Sequence, residues 1–308
     1  MNENHPPRPD LSVDLNGLRL SNPVIGASGT FGYGLEYADH IDLNQLGGFA
    51  TKGLSLNPRV GNPVPRVIET ASGMLNAIGL ENIGLDRFLL EKLPLLHSYQ
   101  CRILVNFFGN TIEEYAEMAE RLSGVGRVDA LEMNISCPNV KEGGLEFSSD
   151  PAIVEKVVRA ARGATQQFLI VKLSPNVKDI SEVARAAEAA GADALSVANT
   201  YVGMKIDIHT RKPYLANKTG GLSGPAIKPL TLNLVYRTAR AVSIPVIGIG
   251  GIVSAEDALE YFLAGACAVQ VGTGNFIDPR TTLRIAADLE EFFLQNGIRR
   301  LADFKMAE

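Results

Sequence analysis

The chain is 308 residues long, 46% hydrophobic and 20% charged, with a formal net charge of −5 at neutral pH. That length admits one large α/β barrel, and the acidic balance, with no Lys/Arg cluster interleaved with aromatics, excludes the positive field that nucleic-acid binding needs. No apolar run approaches the roughly 18 residues of a membrane span, and the opening Met-Asn-Glu-Asn-His-Pro-Pro-Arg-Pro-Asp lacks the apolar core of a signal peptide, so a soluble cytoplasmic protein is expected.

Residues 11–21 alternate apolar and polar around Asn16-Gly17, a pair that accepts the positive φ angles of a tight turn, and a small hairpin lid is expected there. Eight short apolar runs follow: Pro23–Ala27, Gly48–Leu54, Ile103–Phe108, Ala130–Ile135, Phe168–Leu173, Ala194–Ala198, Pro245–Ile249 and Ala268–Val271. Amphipathic segments separate them. Thr111 with Glu114 fits a capping box. Asp150-Pro151 supplies an N-cap and a first-turn proline, and Val154, Val157, Val158 and Ala161 then recur at helical spacing before Gly163. Ile180, Val183, Ala184 and Ala187 form a second stripe ahead of Gly191, and Ser254 with Asp257 fits another capping box.

Eight strands alternating with helices imply a parallel sheet with helical crossovers, and the count of eight favours closure. The expected fold is a single (β/α)8 TIM barrel domain over residues 1–308, with an N-terminal β-hairpin. The longest strand-free insertions, about 56–100 and 199–224, should lie over the C-terminal mouth as hairpins or loops.

A βα barrel builds its active site at the C-terminal strand ends. Here those ends carry Ser28-Gly29, Thr51-Lys52-Gly53, Asn106, Asn134 with Cys137, Lys172, Asn199-Thr200, Gly250-Gly251 and Gly272-Thr273. Lys172 ends the apolar run Phe-Leu-Ile-Val-Lys-Leu and asks for an anion, since an unpaired buried ammonium is costly. That anion is either a ligand or a core carboxylate such as Glu132, and Lys52 poses the same choice. The glycine turns 248–251 and 272–274 let backbone N–H groups approach an oxyanion, with a helix start at Ser254 adding its positive dipole end. Gly220-Gly221-Leu222-Ser223-Gly224 is either a further edge of that pocket or a flexible loop tip. A phosphate cradle beside a lysine and several amides suits flavin mononucleotide, and phosphorylated sugars bind such cradles as well.

In Asn-Ile-Ser-Cys-Pro-Asn, residues 134–139, a lone thiol sits on a rigid turn between amides. Cys137 is either a catalytic base or a small buried residue. Cys101, Cys137 and Cys267 stand far apart, which excludes CxxC-type zinc or iron–sulfur ligation within this chain and argues against a disulfide framework. His5, His40, His97 and His209 share no ligand spacing, so no metal site is expected.

With these residues in view, the chain resembles the class 1 dihydroorotate dehydrogenases from the hairpin through the last strand. The likeness rests on Ala27-Ser-Gly-Thr-Phe-Gly32, Ala50-Thr-Lys-Gly53, Asn76-Ala-Ile-Gly-Leu-Glu-Asn82, Asn134 to Asn139, Val171-Lys-Leu-Ser-Pro175 and Gly221-Leu-Ser-Gly-Pro-Ala226. Asn-Ala-Ile-Gly-Leu and Gly-Leu-Ser-Gly-Pro are similar to the catalytic subunits of type B within that family. The resemblance implies oxidation of (S)-dihydroorotate to orotate in de novo pyrimidine biosynthesis, with one FMN per chain. It implies FMN contacts from Ser28, Lys52, Gly53, Asn106, Asn134, Lys172, Ala198, Gly224, Gly250, Gly251, Gly272 and Thr273. Substrate would be held by Lys52, Asn76, Ala77, Ile78, Gly79, Leu80, Asn134, Asn139, Asn199 and Thr200. Cys137 becomes the base that removes the C5 proton while the C6 hydride passes to flavin N5.

Type B further implies an electron-transfer subunit carrying FAD and a [2Fe-2S] cluster, which hands electrons to NAD within a heterotetramer of two catalytic and two electron-transfer subunits. Neither a GxGxxG after an early strand nor a set of cluster ligands is present here, and Gly-Ile-Gly-Gly at 248–251 follows a late strand, so that machinery is expected on another polypeptide. The rivals are a type A, fumarate-dependent enzyme and a non-redox phosphate-binding barrel, either a lyase or isomerase or a metabolite-binding module. The last has no need of Cys137 or of two mouth lysines.

Overall fold

The computed structural model describes residues 8–136, 141–142, 145–146 and 150–307. Eight parallel strands close into a barrel: β1 (Val24–Gly26), β2 (Gly48–Ala50), β3 (Arg102–Phe107), β4 (Ala130–Asn134), β5 (Phe168–Lys172), β6 (Ala194–Val197), β7 (Val246–Ile249) and β8 (Ala268–Val271). Each pairs with its sequence neighbours, and β8 returns to β1 through Val269↔Val24 and Gln270↔Ile25. All eight lie inside or overlap the apolar runs that the sequence marks. Their residues are buried on both faces, which is why they read as continuous apolar runs and not as alternating ones.

The crossovers carry α1 (Ile112–Leu122), α2 (Pro151–Ala164), α3 (Ile180–Ala189), α4 (Lys228–Ala239) and α5 (Ala255–Leu263), and α6 (Thr281–Gln295) follows β8. Asp150 caps α2 by accepting from Ala152 N at 2.8 Å, and Val154, Val157, Val158 and Ala161 bury the expected stripe. The helix runs through Gly163 to Ala164. Ser254 and Asp257 form the full reciprocal box at α5. The expected box at α1 is only half made: Thr111 accepts from Glu114 N, but the Glu114 carboxylate turns to Asn110 N at 2.6 Å. Among the described residues no helix is long and apolar enough to cross a membrane.

The N-terminal hairpin forms as Val13–Asp14 against Arg19–Leu20. It closes the N-terminal end of the barrel, opposite the mouth. Leu15, Leu18 and Leu20 pack on an interior layer of Ile25, Ala50, Leu104, Ala130, Ile170, Ala194, Ile247 and Ala268, and Arg102, at the start of β3, donates to Arg19 O at 2.8 Å. Leu20 is fully buried. Leu20→Ala is therefore expected to lower stability by about 2–5 kcal/mol in denaturant unfolding. A loss below about 1 kcal/mol would mean that the hairpin is not part of the core.

Side chains alternate along a strand, so the interior continues two residues further on. Leu104, Ala130, Ala194 and Ala268 are followed by Asn106, Glu132, Ser196 and Gln270, all buried. The barrel thus has an apolar base and a polar storey above it. The two long insertions then meet over the top. Strands Val67–Thr70, Gly73–Asn76, Thr219–Ser223 and Tyr201–Met204 lie in that spatial order as one antiparallel sheet. Gly220 to Ser223 is therefore strand, not a loop tip. A Cβ at Gly221 would stand 2.1 Å from Thr200 Oγ1, so only glycine lets the sheet sit this close to the end of β6.

Candidate functional site

Between the strand ends and the four-stranded sheet lies a cavity of about 990 Å3. Its wall includes Ser28, Lys52, Gly53, Asn106, Asn134, Lys172, Ala198, Gly250, Gly251, Gly272 and Thr273 from the barrel rim, and Asn76 to Leu80, Asn199, Thr200 and Gly224 from the insertions. The topology thus brings together every described residue that the sequence reading assigned to a site. Cys137 and Asn139 lie outside the described residues. Their neighbour Ser136 lines the cavity and donates to Lys172 O at 3.3 Å.

Lys172 is 5% exposed. Of the two anions left open for it, the core carboxylate is not its partner: Glu132 Oε2 accepts from Asn106 Nδ2 at 2.9 Å and Oε1 from Gln270 Nε2 at 2.7 Å. No hydrogen bond or ion pair joins Lys172 Nζ to another described residue. The ammonium is therefore held in the cavity wall with its charge open to a ligand. Lys52 stands similarly, and burial pushes its pKa down from 10.5, with Glu81 pulling it up and Arg66 adding to the fall. Those two pair with each other.

At the far rim the N–H groups of Gly250, Gly251, Gly272 and Thr273 donate to no other described residue. Gly251 has φ +69°, and a Cβ there would stand 2.8 Å from Lys228 N and 2.9 Å from Gly224 O. Glycine is what lets this turn present its amides, and α5 begins just beyond it. Thr273 Oγ1 donates to Ser223 Oγ at 2.8 Å and ties the rim to the covering sheet.

The amides between these two poles are oriented by neighbours. Asn134 Oδ1 accepts from Ser136 N at 3.1 Å and Asn199 Nδ2 at 3.3 Å, while Asn199 Oδ1 accepts from Thr200 N. Asn106 Oδ1 is buried without a partner. Unpaired buried polar groups call for a ligand or water. An anion-ready cradle, two open ammonium groups and a row of fixed amides form a donor set that fits the phosphate and the polar ring edge of FMN.

Sequence reasoning passed over Asn176, which also lines the cavity. Its Nδ2 donates to Thr200 O at 3.0 Å and its Oδ1 accepts from Val202 N at 3.1 Å, so it pins the covering sheet to the end of β5. The signal was its place directly after Val-Lys-Leu-Ser-Pro. The polar storey of Glu132, Ser196 and Gln270 was passed over as a unit as well. Single polar residues inside apolar runs were its trace.

A family model described as dihydroorotate dehydrogenase matches residues 10–293. The "Dihydroorotate dehydrogenase B (NAD(+)), catalytic subunit" of Trichlorobacter lovleyi is 58% identical over 291 residues, covering 94% of this chain and 96% of that protein. The protein of the same description from Pelobacter propionicus is 58% identical over 296 residues, covering 96% and 97%. Among solved structures, DHODH of Eimeria tenella in complex with ferulenol superposes with a TM-score of 0.77 at 25% identity, covering 99% of this chain and 89% of that one.

Proposed function

Because the chain belongs to the dihydroorotate dehydrogenase family, we propose that it is an NAD-linked type B catalytic subunit that oxidises (S)-dihydroorotate to orotate on FMN in the cytoplasm. The observation that carries this reading is the cavity lined by a buried lysine and by four backbone N–H groups, none of which pairs with another described residue. A non-redox sugar-phosphate enzyme has a use for the cradle but none for Lys172. Bound FMN supplies the acceptor for the substrate's C6 hydride.

In this reading the chain's own residues do the following. The amides of Gly250, Gly251, Gly272 and Thr273 hold the phosphate, helped by the dipole of α5. Lys172 would hold the polar edge of the flavin ring. Asn134, Asn139, Asn199 and Thr200, with the loop Asn76 to Leu80, hydrogen-bond the pyrimidine, since an amide offers donor and acceptor together against alternating ring N–H and C=O groups. Lys52 pairs with the substrate carboxylate. Cys137, as thiolate, takes the C5 proton. The covering sheet keeps water away. A separate subunit, which would bear FAD and [2Fe-2S], would take up the electrons, two copies of each chain forming a heterotetramer. The names of the relatives support that partner, as each is called a catalytic subunit.

The test is direct. The purified chain should take up FMN, and anaerobic dihydroorotate should bleach its visible absorbance. A chain that cannot be reconstituted with FMN overturns the reading. Rapid turnover with fumarate by the isolated chain would move it to type A.

Lys52 gives this reading a pH signature. An anion binds the protonated amine, so affinity is constant below the lowered pKa and falls as pH rises through it. Dihydroorotate binding, followed by flavin absorbance, should weaken at a lower pH than the titration of an ordinary lysine would give. Lys52→Arg, which stays protonated, should flatten that decline. An identical decline in both would place the titration elsewhere.

A further inference from the structure

Glu132 is wholly buried in β4 and forms no ion pair with a described residue. Its two oxygens meet two amides, Asn106 Nδ2 at 2.9 Å and Gln270 Nε2 at 2.7 Å, and Gln270 Nε2 also donates to Ser196 Oγ at 3.3 Å. A carboxylate has no proton to give, so any amide that meets it must present its NH2. The orientations of Asn106 and Gln270, which could otherwise flip, are thereby set.

For Asn106 this has a consequence at the cavity. Its Oδ1 is turned away from Glu132, buried and without a partner, beside Gly53, where a Cβ would approach it to 2.8 Å. Asn106 and Gly53 both line the cavity. Asn106 is itself only 1% exposed. A buried acceptor in this state is unfavourable until a donor reaches it.

We infer that Glu132 is a positioning residue: by fixing the Asn106 amide it makes the floor of the cavity a hydrogen-bond acceptor, which selects a ligand presenting an N–H or O–H donor at that point. The inference rests on the reading of the cavity as an FMN site. Bulk and charge in the cavity are untouched by Glu132. What it sets is polarity.

Glu132→Gln tests this, because the new amide can donate as well as accept. Ser196 Oγ can donate as well as accept and so does not hold Gln270; each variant is therefore made in a Gln270→Met background, taken as the starting protein, where Asn106 is the one amide left to turn round and point its NH2 at the floor. FMN affinity, read by quenching of flavin fluorescence, should fall by about tenfold or more, equivalent to about 1.4 kcal/mol. The absorption spectrum of the bound flavin should shift with it, which a merely structural role would not cause. In the double variant Asn106→Asp, Glu132→Gln, carboxylate and amide trade places across the same contact, and the floor is an acceptor again. Affinity and spectrum should return to near those of the starting protein. FMN binding by Glu132→Gln within threefold of the starting protein overturns the inference. So does a double variant that binds no better than the single one, or failure of both to fold, since the two positions must be exchangeable. Failure of the unaltered chain to bind FMN would instead overturn the functional reading beneath it.

Discussion

Cys137→Ala is expected to leave FMN bound and to slow its reduction by dihydroorotate by roughly 10²- to 10⁴-fold, the range over which a positioned base acts. The C5 proton is weakly acidic, and on this chain the proposed acceptor is a thiolate between two amides. The other two thiols are unsuited to the task. Burial pushes Cys101 up to about 11 and raises Cys267 as well, and Cys101 packs in the core between the barrel and its helices. Cys267→Ala should therefore reduce at the original rate. Anaerobic stopped-flow mixing at several pH values separates the cases. The original protein should react faster as pH rises and its thiol ionises, then reach a plateau, whereas Cys137→Ala should be slow and lack that rise. Unchanged reduction would remove Cys137 from the mechanism.

The barrel was legible because burial on both faces writes each strand as an apolar run, and because caps such as Asp150 and Ser254 mark helix starts by local chemistry. The rim was legible for a related reason: a lysine or asparagine at the end of such a run is costly without a purpose, so Lys172, Asn106 and Asn134 stand out against their neighbours. What stayed hidden depends on pairing at long range. Gly73–Asn76 pairs with Thr219–Ser223, and Asn76 Nδ2 reaches Gly221 O at 3.4 Å across 145 positions. Neither segment is apolar or regularly alternating, so periodicity had nothing to report. The end of the barrel that the hairpin closes was hidden too, because Leu15, Leu18 and Leu20 would fit either opening by hydrophobicity alone. Their match is to the small residues Ala50, Ala130, Ala194 and Ala268 at the base. Long-range pairing also decided between the two anions that the sequence left open for Lys172. Glu132 is the nearest carboxylate in sequence logic, yet β4 faces it toward Asn106 and Gln270, whose amides satisfy both oxygens.

Lys172→Met should change the FMN-free and FMN-loaded proteins in opposite directions. In the free protein a buried ammonium has no counter-charge among the described residues, so an apolar chain of similar length removes a desolvation cost, and the unfolding temperature should rise by a few degrees. In the loaded protein the same change deletes a charge-assisted hydrogen bond worth about 1.5–3 kcal/mol, so FMN should bind roughly 10- to 150-fold more weakly. If the lysine lies by the ring edge on which negative charge develops, as proposed, the reduction potential of the bound flavin should also fall, by about 30 mV for each 1.4 kcal/mol lost from the reduced form. Thermal unfolding without FMN and an FMN titration decide the matter. A free protein that is destabilised would reveal an anion already paired with Lys172, and the charge would then belong to the scaffold. Opposite signs in the two measurements would assign it to the ligand, because a residue kept at the expense of the empty protein must be repaid when the cavity fills.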